Sequence, residues 1–350
     1  RGPDSASYGP NSMMAVINIL TKRPKDIDRA MASVEVGSHY SNESTIRLGN
    51  KLGDHTHIAA TANLTRNSGY DSATLPGGAH DSISVKRLNL RSQTDLKTDE
   101  TLELQASLTS AKREYNYTPD PFVLSYPDQA HDEVQFSAKW TKALSGNHEL
   151  QVRAYYSGLD VKQDWHSCWP RLALHPDVIA VLNKYPEFAL AIAKGLDLST
   201  VTLHKTPSQA EINQVLAAVA SMGGLGPALA RDACGTVSLD DAENRGQIEL
   251  QDTYVLSDSL RVVSGVGLRY QDSYSEGYFS GKVNNQVRWI FGHMEYRPTN
   301  SMSFNLGGYG ESNSLGPGTF APRAAVNYHL SENQSVRAVY SKGTRTPDLV

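Results

Sequence analysis

Apolar and polar residues alternate along most of this chain with a period of two. In the segment 102–109, Leu and Ala occupy the even positions and Glu, Gln, Ser and Thr the odd positions. Because successive side chains of a β-strand point to opposite faces, this alternation predicts strands with one apolar face. About thirteen strands are expected, at 30–38, 44–52, 56–66, 83–93, 101–114, 133–144, 149–163, 246–256, 260–270, 286–297, 302–311, 319–330 and 335–343. The chain is therefore predicted to be all-β.

The predicted connections alternate in length from Gly53 onward. Tight turns rich in Gly, Asp, Asn and Ser join every second pair of strands. Membrane barrels have short turns on one side and long loops on the other, whereas a soluble sandwich has no reason to sort its connections in this way. The pattern predicts an antiparallel transmembrane β-barrel. Its longer connections are expected at 67–82, 115–132, 164–245, 271–285 and 312–318.

Composition alone would suggest a soluble protein. The 350 residues are 39% hydrophobic, and the mean hydropathy is -0.43. Such averages do not reveal membrane-spanning barrel strands, because only alternate residues of these strands face lipid. No run approaches the roughly 18 consecutive apolar residues of a spanning helix. Bacterial single-chain barrels have even numbers of strands, so the odd count and a last strand without a downstream partner predict further strands beyond Val350.

The longest predicted connection, 164–245, carries helical signals. A proline near the start and a glycine after the end predict a helix from Pro176 to Lys194. A second helix is predicted to open with a capping box at 206–209 and to run through Ala220. The apolar residues of both helices are expected to form a small local core, with a ligand-binding surface as the alternative.

Cys168 and Cys234 lie in the same connection and are the two cysteines of the chain. Two cysteines are too few for a disulfide scaffold, and they lack the spacing of a metal site. In an oxidising compartment they are expected to pair as one disulfide, which would staple the helical hairpin at its base. Two free buried thiols are the alternative.

Motifs at both ends of the chain point to a family. The chain opens with an Arg-Gly-Pro element, a Tyr-Gly pair and a Val-Ile-Asn-Ile-Leu-Thr-Lys segment. Their order and spacing resemble the end of the plug domain in TonB-dependent outer-membrane receptors. Near the other end, an aromatic-Ser-x-x-x-Arg-x-Pro element resembles one in the middle of that family's barrel. The residues concerned are Arg1, Gly2, Pro3, Tyr8, Gly9, Asn18, Thr21 and Lys22 in the plug element, and Tyr340, Ser341, Arg345 and Pro347 in the barrel element.

The resemblance implies a barrel of about 22 strands filled by a plug. It divides the chain into the C-terminal end of the plug domain, 1–25, and the N-terminal portion of the barrel, 26–350. The implied fold class is an all-β, antiparallel transmembrane β-barrel, truncated at about 13 of 22 strands, with a helical extracellular loop at 164–245. From its length alone, we hypothesise that this loop gates the substrate vestibule.

The resemblance also implies a function, the TonB-dependent active transport of a scarce nutrient across the bacterial outer membrane. A ferric siderophore is the commonest cargo of the family. The implied partners are the TonB protein, through a TonB box that this sequence lacks, an iron–siderophore or similar small molecule, and outer-membrane lipid. Uptake of cobalamin, haem or an oligosaccharide is the alternative within the family. A passive porin or an adhesin barrel is the alternative outside it, and the plug element argues against both because a plugged lumen does not conduct freely.

No catalytic motif, cofactor site or metal site is predicted. The sequence has no Gly-x-Ser-x-Gly elbow, no His-Glu-x-x-His and no phosphate-binding loop, so we expect a protein that is not an enzyme. The 11 histidines show no ligand spacing beyond His55 and His57, which flank a predicted tight turn. The formal net charge of -4 gives no electrostatic reason to expect nucleic acid as a partner.

Aromatic residues at or beyond strand ends are the candidate ligand contacts, because they could stack on an aromatic siderophore or a planar chelate. The alternative is the aromatic girdle that membrane barrels carry near strand ends. For Arg1 and Arg345, a static ion pair in a polar lumen is the expectation, and a plug–barrel network that rearranges during transport is the alternative. The candidate ligand residues are Tyr70, Tyr115, Tyr117, Phe122, Tyr126, Tyr274 and Tyr278.

Overall fold

The structure is a computed structural model that describes residues 21–27, 29–38, 40–70, 80–115, 123–188, 205–230, 233–347 and 349. Within these residues, fourteen strands form one sheet. In chain order they are β1 (Ala30–Val36), β2 (Asn42–Leu52), β3 (Thr56–Asn67), β4 (Ile83–Lys97), β5 (Glu100–Arg113), β6 (Gln129–Ser145), β7 (His148–Trp169), β8 (Ala233–Ser238), β9 (Asp241–Ser257), β10 (Leu260–Ser275), β11 (Gly281–Thr299), β12 (Met302–Asn313), β13 (Gly316–Ser331) and β14 (Gln334–Ser341). The additional strand, compared with the prediction, is β8.

The strands follow one another through the sheet in sequence order, from β1 to β14. Each is antiparallel to its neighbours, as in the hairpins β2–β3 and β10–β11. β8 lies off this path, because it pairs with the last residues of β7, Asp164–Trp169. The predicted all-β antiparallel fold is confirmed.

The two faces of the sheet differ in chemistry and in exposure. On the face that carries the apolar residues, called here the apolar face, Leu108 and Phe136 are each 52% exposed. On the opposite, polar face, Asn285 is 0% exposed and Glu311 is 6% exposed. A soluble sandwich covers its apolar residues and exposes its polar ones, so this arrangement is the reverse. It is the arrangement expected of a sheet whose apolar face borders lipid.

The apolar residues form a band that does not run straight across the sheet. Direct pairing between neighbouring strands, followed one strand at a time, leads from Leu88 of β4 to Asn284 of β11. Leu88 lies in the apolar part of its strand, whereas Asn284 lies among polar residues. On β11 the exposed apolar residues of the same face begin at Ile290. Between β4 and β11 the band therefore moves along the strands by six residues, from position 284 to position 290.

The connections agree with the prediction at the tight turns and depart from it at the longer ones. β6 begins at Gln129, within the predicted loop 115–132, while β7 extends to Trp169 and β9 begins at Asp241, within the predicted loop 164–245. β10 continues to Ser275 and β11 begins at Gly281, while a two-residue turn, Ser314–Leu315, joins β12 to β13. The prediction of long loops at 271–285 and 312–318 is therefore wrong. The strand ladders continue there through polar residues, which lack the apolar alternation that marks a strand in the sequence.

Residues 115–128 and 164–238 form a compact unit of their own. A disulfide joins Cys168 and Cys234, which lie directly opposite each other in β7 and β8. Described helices of this unit are α1 (Arg171–Leu174), α2 (Pro176–Lys184), α3 (Gln209–Ser221) and α4 (Leu225–Leu229). No helix in the described part of the chain is long and apolar enough to span a membrane.

The first predicted helix is shorter than expected. α2 begins at Pro176, as predicted, and the Nδ1 of His175 accepts the backbone N–H of Asp177 at 3.3 Å, which caps the helix. The helix ends at Lys184, because Pro186 has no backbone N–H and disfavours helical geometry in the residue before it. Helical geometry resumes at 186–188, and the rest of the predicted helix, 189–194, lies outside the described residues.

The second predicted helix is found with a different cap. Ser208 and Glu211 form the capping box of α3, in which the Ser208 hydroxyl accepts the N–H of Glu211 and the Glu211 carboxylate accepts the N–H of Ser208. The predicted box at 206–209 is therefore two positions too early. Thr206 with Gln209 and Ser208 with Glu211 both satisfy the sequence pattern of a capping box. The structure uses the second pair, in which the residue three positions after the cap is a carboxylate.

Candidate functional site

The end of the plug element and the turn that follows it contact the polar face of the sheet. Arg91 of β4 donates from Nη1 to the backbone oxygen of Lys22 at 2.8 Å. Pro24 is buried, and the turn Pro24–Asp26 contacts β2, β3 and β4. Thr21 and Lys22, the described members of the plug element, are exposed. The other members, Arg1, Gly2, Pro3, Tyr8, Gly9 and Asn18, lie outside the described residues.

A cavity next to this turn is lined by charged side chains, among them Arg91, Glu103, Lys139 and Arg153. Glu103 accepts a hydrogen bond from the Nζ of Lys139 at 2.9 Å. More than a third of each side chain in this pair is exposed, so the pair contributes at most about 1 kcal/mol to stability. Glu249 also lines the cavity, so beyond the Lys139–Glu103 pair the two arginines exceed the carboxylates by one positive charge, which can bind carbonyl or anionic groups.

A second cluster of polar side chains surrounds Trp289 of β11. Trp289 is 7% exposed and donates from Nε1 to Glu249 at 3.1 Å. Tyr309 donates its hydroxyl to Glu311 at 3.3 Å. The Nε of Arg269 and the Oε1 of Glu311 are buried and have no hydrogen-bond partner among the described residues. Because unpaired buried polar groups are costly, a further polar group placed here would be stabilised.

The barrel element lies partly in β14 and partly in the segment that follows it. Tyr340 is 65% exposed on the apolar face, and Ser341 ends the strand. Asn313 of β12 donates from Nδ2 to the backbone oxygen of Pro347 at 2.9 Å, which holds the segment at the end of the sheet. Arg345 is exposed and makes no ion pair with a described residue, so the expected static pair is not found within the described chain.

Two candidate ligand residues lie next to α5 (Glu276–Phe279). Tyr274 is on the apolar face at the end of β10, and its hydroxyl donates to Glu276 at 2.6 Å. This position corresponds to the girdle alternative. Tyr278 is 59% exposed, and its ring centre lies 6.1 Å from that of Phe279. Tyr278 is exposed and Phe279 is half-buried, so the pair presents aromatic surface beside the end of β10.

The other candidate aromatics are distributed over both units. Tyr70 is 64% exposed, and its N–H donates to Asp81 Oδ1 at 2.9 Å. In the second unit, the Tyr115 N–H donates to Asp128 Oδ1 at 3.3 Å, and Tyr126 is 52% exposed. Tyr117 and Phe122 lie outside the described residues.

The sheet order separates two of these aromatics within the first unit. Tyr70 follows β3, beside β4, whereas Tyr278 follows β10. β4 and β10 are five strand steps apart in the sheet, which is about 24 Å along the sheet. The structure therefore does not bring Tyr70 and Tyr278 together along the sheet. No group of three or more His, Cys, Asp or Glu that could hold a metal ion occurs in the described residues.

One carboxylate joins the end of α2 to the start of α3. Glu211 accepts hydrogen bonds from the Nζ of Lys184 at 2.6 Å, from the Tyr185 hydroxyl at 2.8 Å and from the Ser208 N–H at 2.8 Å. The hydrogen bond from Lys184, followed by those from Ser208 and Tyr185, lowers the pKa of Glu211 to about 2. The same contact raises the pKa of Lys184. The second unit is thus fastened by one ionised group and one disulfide.

No protein-family model matches the chain. Solved structures with the same fold include a mutant of the ferric enterobactin receptor PfeA of Pseudomonas aeruginosa, with a TM-score of 0.66 and 10% identity over 100% of this chain and 48% of that one. The ferric-catecholate import receptor Fiu of E. coli K12 matches with a TM-score of 0.63 and 12% identity over 97% of this chain and 54% of that one. The siderophore receptor PirA of Acinetobacter baumannii matches with a TM-score of 0.64 and 13% identity over 99% of this chain and 47% of that one. The fold is that of a TonB-dependent receptor barrel.

The TonB-dependent receptor fold confirms the sequence resemblance at the level of architecture. The chain spans about half the length of the receptors that it matches. In such a barrel the polar face lines the lumen and the apolar face borders lipid. The buried cluster at Trp289 and the charged cavity at Arg91 are therefore on the lumenal side.

Sequence reasoning missed the residues that organise the lumenal side and the second unit. Trp289 is not among the predicted site residues, because its partner Glu249 is 40 residues away in the sequence. Glu211 was overlooked because a capping box was assigned two positions earlier. The Ser-x-x-Glu spacing at 208–211 was the signal that could have identified it.

Proposed function

We propose that this protein is a TonB-dependent receptor that imports a ferric siderophore across the bacterial outer membrane. The observation that carries the proposal is the shared fold with receptors named for ferric enterobactin, ferric catecholates and siderophores. The contact of Arg91 with Lys22, at the end of the plug element, supports it, because a plug that fills the lumen must meet the polar face. The proposal includes the division into a plug end, 1–25, and a barrel portion, 26–350.

The proposed cargo is an aromatic chelate that supplies its own iron ligands. The exposed ring of Tyr278, beside the half-buried ring of Phe279, supports this choice, since aromatic rings stack favourably on planar aromatic groups. Tyr70, Tyr115 and Tyr126 are further candidates, while the girdle role suits Tyr274 better. TonB is the proposed source of energy, and outer-membrane lipid the proposed surrounding of the apolar face.

The connection 164–245 is proposed to gate the cargo. Its length and its two fastenings, the disulfide and the Glu211 group, support a unit that moves as one body. Deleting residues 170–232 while keeping both flanking strands should change the rate of uptake or the range of chelates accepted. Uptake that stays unchanged in rate and in range would contradict the gating proposal.

The test is uptake of radiolabelled iron chelates by iron-limited cells that carry or lack the full-length gene, with and without TonB function. A catecholate, a hydroxamate and a carboxylate chelate are offered separately. We expect one class to lose uptake in both the gene deletion and the TonB-deficient background. Labelled cobalamin, haem and an oligosaccharide are offered in parallel to test the alternatives within the family.

A passive pore would give a different result. Entry of a small uncharged sugar should not depend on this gene if the lumen is plugged, and it should increase with gene dosage if the barrel is open. Iron uptake that requires the gene but is independent of TonB would contradict the energised mechanism.

A further inference from the structure

A buried serine at the end of β10 holds α5, the helical turn that carries the exposed Tyr278 ring. Ser275 is 0% exposed, and its Oγ accepts the backbone N–H of Tyr278 at 3.3 Å, which caps α5. The same hydroxyl donates to the backbone oxygen of Asp240 at 2.6 Å. One side chain therefore joins α5 to the residue that precedes β9.

Asp240 also fastens the two points at which the chain leaves and re-enters the first unit. The segment 164–238 of the second unit directly follows Gln163 and directly precedes Leu239. The Oδ1 of Asp240 accepts the backbone N–H of Gln163 at 2.8 Å, and the Leu239 N–H donates to the backbone oxygen of Gln163 at 2.8 Å. Asp240 is thus hydrogen-bonded through its side chain to the start of this segment and through its backbone to Ser275.

A single helical turn such as α5 does not hold its geometry unaided. α5 has four residues, and so short a helix is unstable in isolation because its nucleus is costly to form. The residue after it, Ser280, has a φ of 57°, a left-handed conformation that is unfavourable for a residue with a Cβ. Tyr278 is 59% exposed, so packing holds its ring only weakly. The two hydrogen bonds of Ser275 therefore fix where the ring lies.

A second buried serine on the same strand makes a different contact. Ser273 is also 0% exposed, and its Oγ donates to the Oδ1 of Asp241 at 2.7 Å. Both residues of this hydrogen bond belong to strands, β10 and β9, and neither belongs to α5. Ser273 and Ser275 share a strand, a face and a degree of burial, and they differ in whether the hydroxyl contacts α5.

We propose that Ser275 is a positioning residue that holds the Tyr278 ring where an aromatic iron chelate stacks, and that Asp240 couples this position to the segment 164–238. The proposal rests on the aromatic cargo given under Proposed function and adds which groups set the position of the ring that contacts it. Ser275 is buried and does not reach the chelate, so it acts through the ring. Its effect on binding can therefore be no larger than the effect of removing the ring.

The first measurement is hydrogen–deuterium exchange of α5 in the full-length protein in detergent, followed by mass spectrometry with no chelate present. Ser275→Ala removes the cap of α5 and should speed exchange of its backbone amides about fivefold. Ser273→Ala is the matched control and should leave exchange of α5 unchanged. Equal exchange of α5 in these two variants would overturn the positioning role.

The link through Asp240 has a matched pair of its own. Lys162 lies 3.4 Å from Asp240 and 3.2 Å from Asp160, so replacing either acid by alanine removes one carboxylate from the same lysine. Asp240→Ala also releases the Gln163 N–H and should speed exchange of α5 by up to the same factor as Ser275→Ala. Asp160→Ala should leave exchange of α5 unchanged. If these two alanine variants behave alike, Asp240 does not couple the segment 164–238 to α5.

The second measurement is binding of iron(III) tris-catecholate, followed by retention of radiolabelled iron on the full-length protein. Tyr278→Ala should weaken binding about two- to tenfold through lost stacking. Ser275→Ala should weaken it by no more than that factor. The variant that combines both changes should bind like Tyr278→Ala alone, because residues that act through one contact are energetically coupled. Ser273→Ala should bind like the wild type.

Additive losses in the combined variant would overturn the proposal, since they would show that Ser275 acts apart from the ring. Unchanged exchange of α5 in Ser275→Ala would overturn it as well. The exchange measurement involves no chelate, so a wrong choice of cargo and a wrong positioning residue give different results.

Discussion

The contact between Gly267 and Trp289 allows a quantitative test of packing in the barrel wall. The two residues are direct partners in β10 and β11. A Cβ at position 267 would overlap the indole ring of Trp289. The ring cannot move aside freely, because its Nε1 is hydrogen-bonded to Glu249 and its side chain is 7% exposed.

Gly267→Ala should therefore destabilise the barrel. Forcing an extra methyl group into a packed site costs about 1 to 3 kcal/mol. Gly292→Ala on the same strand pair is the matched control, since no atom lies within 4 Å of a Cβ there. Replacing glycine by alanine within a strand stabilises by about 0.5 to 1 kcal/mol when there is room. The two variants should differ by about 2 to 4 kcal/mol in free energy of unfolding.

The assay is urea-induced unfolding of the full-length protein in detergent micelles, followed by the gel mobility of unheated samples. Gly267→Ala should unfold at lower urea than the wild type, and Gly292→Ala at equal or higher urea. A smaller side chain, introduced as Trp289→Val, should suppress the defect of Gly267→Ala in the double variant, because residues in contact are energetically coupled. Equal stability of the two alanine variants would refute the packing argument.

Three further predictions concern the second unit and the ligand. Replacing both Cys168 and Cys234 by Ser removes a cross-link that spans 66 residues and should lower the stability of the second unit by about 4 kcal/mol. Limited proteolysis within 170–232 should then accelerate by up to about a thousandfold. An increase below tenfold would contradict this prediction. Glu211 has a pKa of about 2 in the folded protein, below its ordinary value of 4.5, so its stabilisation is complete above about pH 4.5 and is lost as the pH falls towards 2. Glu211→Gln should remove most of the pH dependence of proteolysis in that window, and an unchanged pH profile would show that other groups dominate. Tyr278→Ala should raise the KM for chelate uptake about two- to tenfold through lost stacking, whereas Tyr274→Phe should leave it unchanged; equal effects would place the binding surface elsewhere.

The sequence predicts most of the sheet because lipid imposes alternation on the barrel strands. The segment 102–109 shows this clearly, and β5 has nearly the predicted bounds. Polar strand ends obey no such rule, so the extensions of β10 and β11 were predicted as a loop. β8 was missed for the same reason, since its pairing with β7 is accompanied by a disulfide and not by an apolar pattern.

The candidate site was predicted less well than the fold. Contacts such as Trp289–Glu249 join residues far apart in the sequence, and their register depends on every hairpin between them. Helix ends depended on one residue each: Pro186 ends α2, and Glu211 selects Ser208 as the cap of α3. Local patterns predict that a helix exists more reliably than where it begins or ends.

The six-residue shift of the apolar band gives the inclination of the strands in the membrane. Six residues correspond to about 20 Å along a strand, and the six strand steps from β4 to β11 correspond to about 29 Å across the sheet. The ratio of these two distances corresponds to a strand inclination of about 35°, within the range of membrane barrels. A strand inclined by this angle needs about 11 residues to cross an apolar layer of about 30 Å. β11 has 19 residues, so about eight of them, at the end that carries Lys282 and Asn284, continue the hydrogen-bonded wall into water.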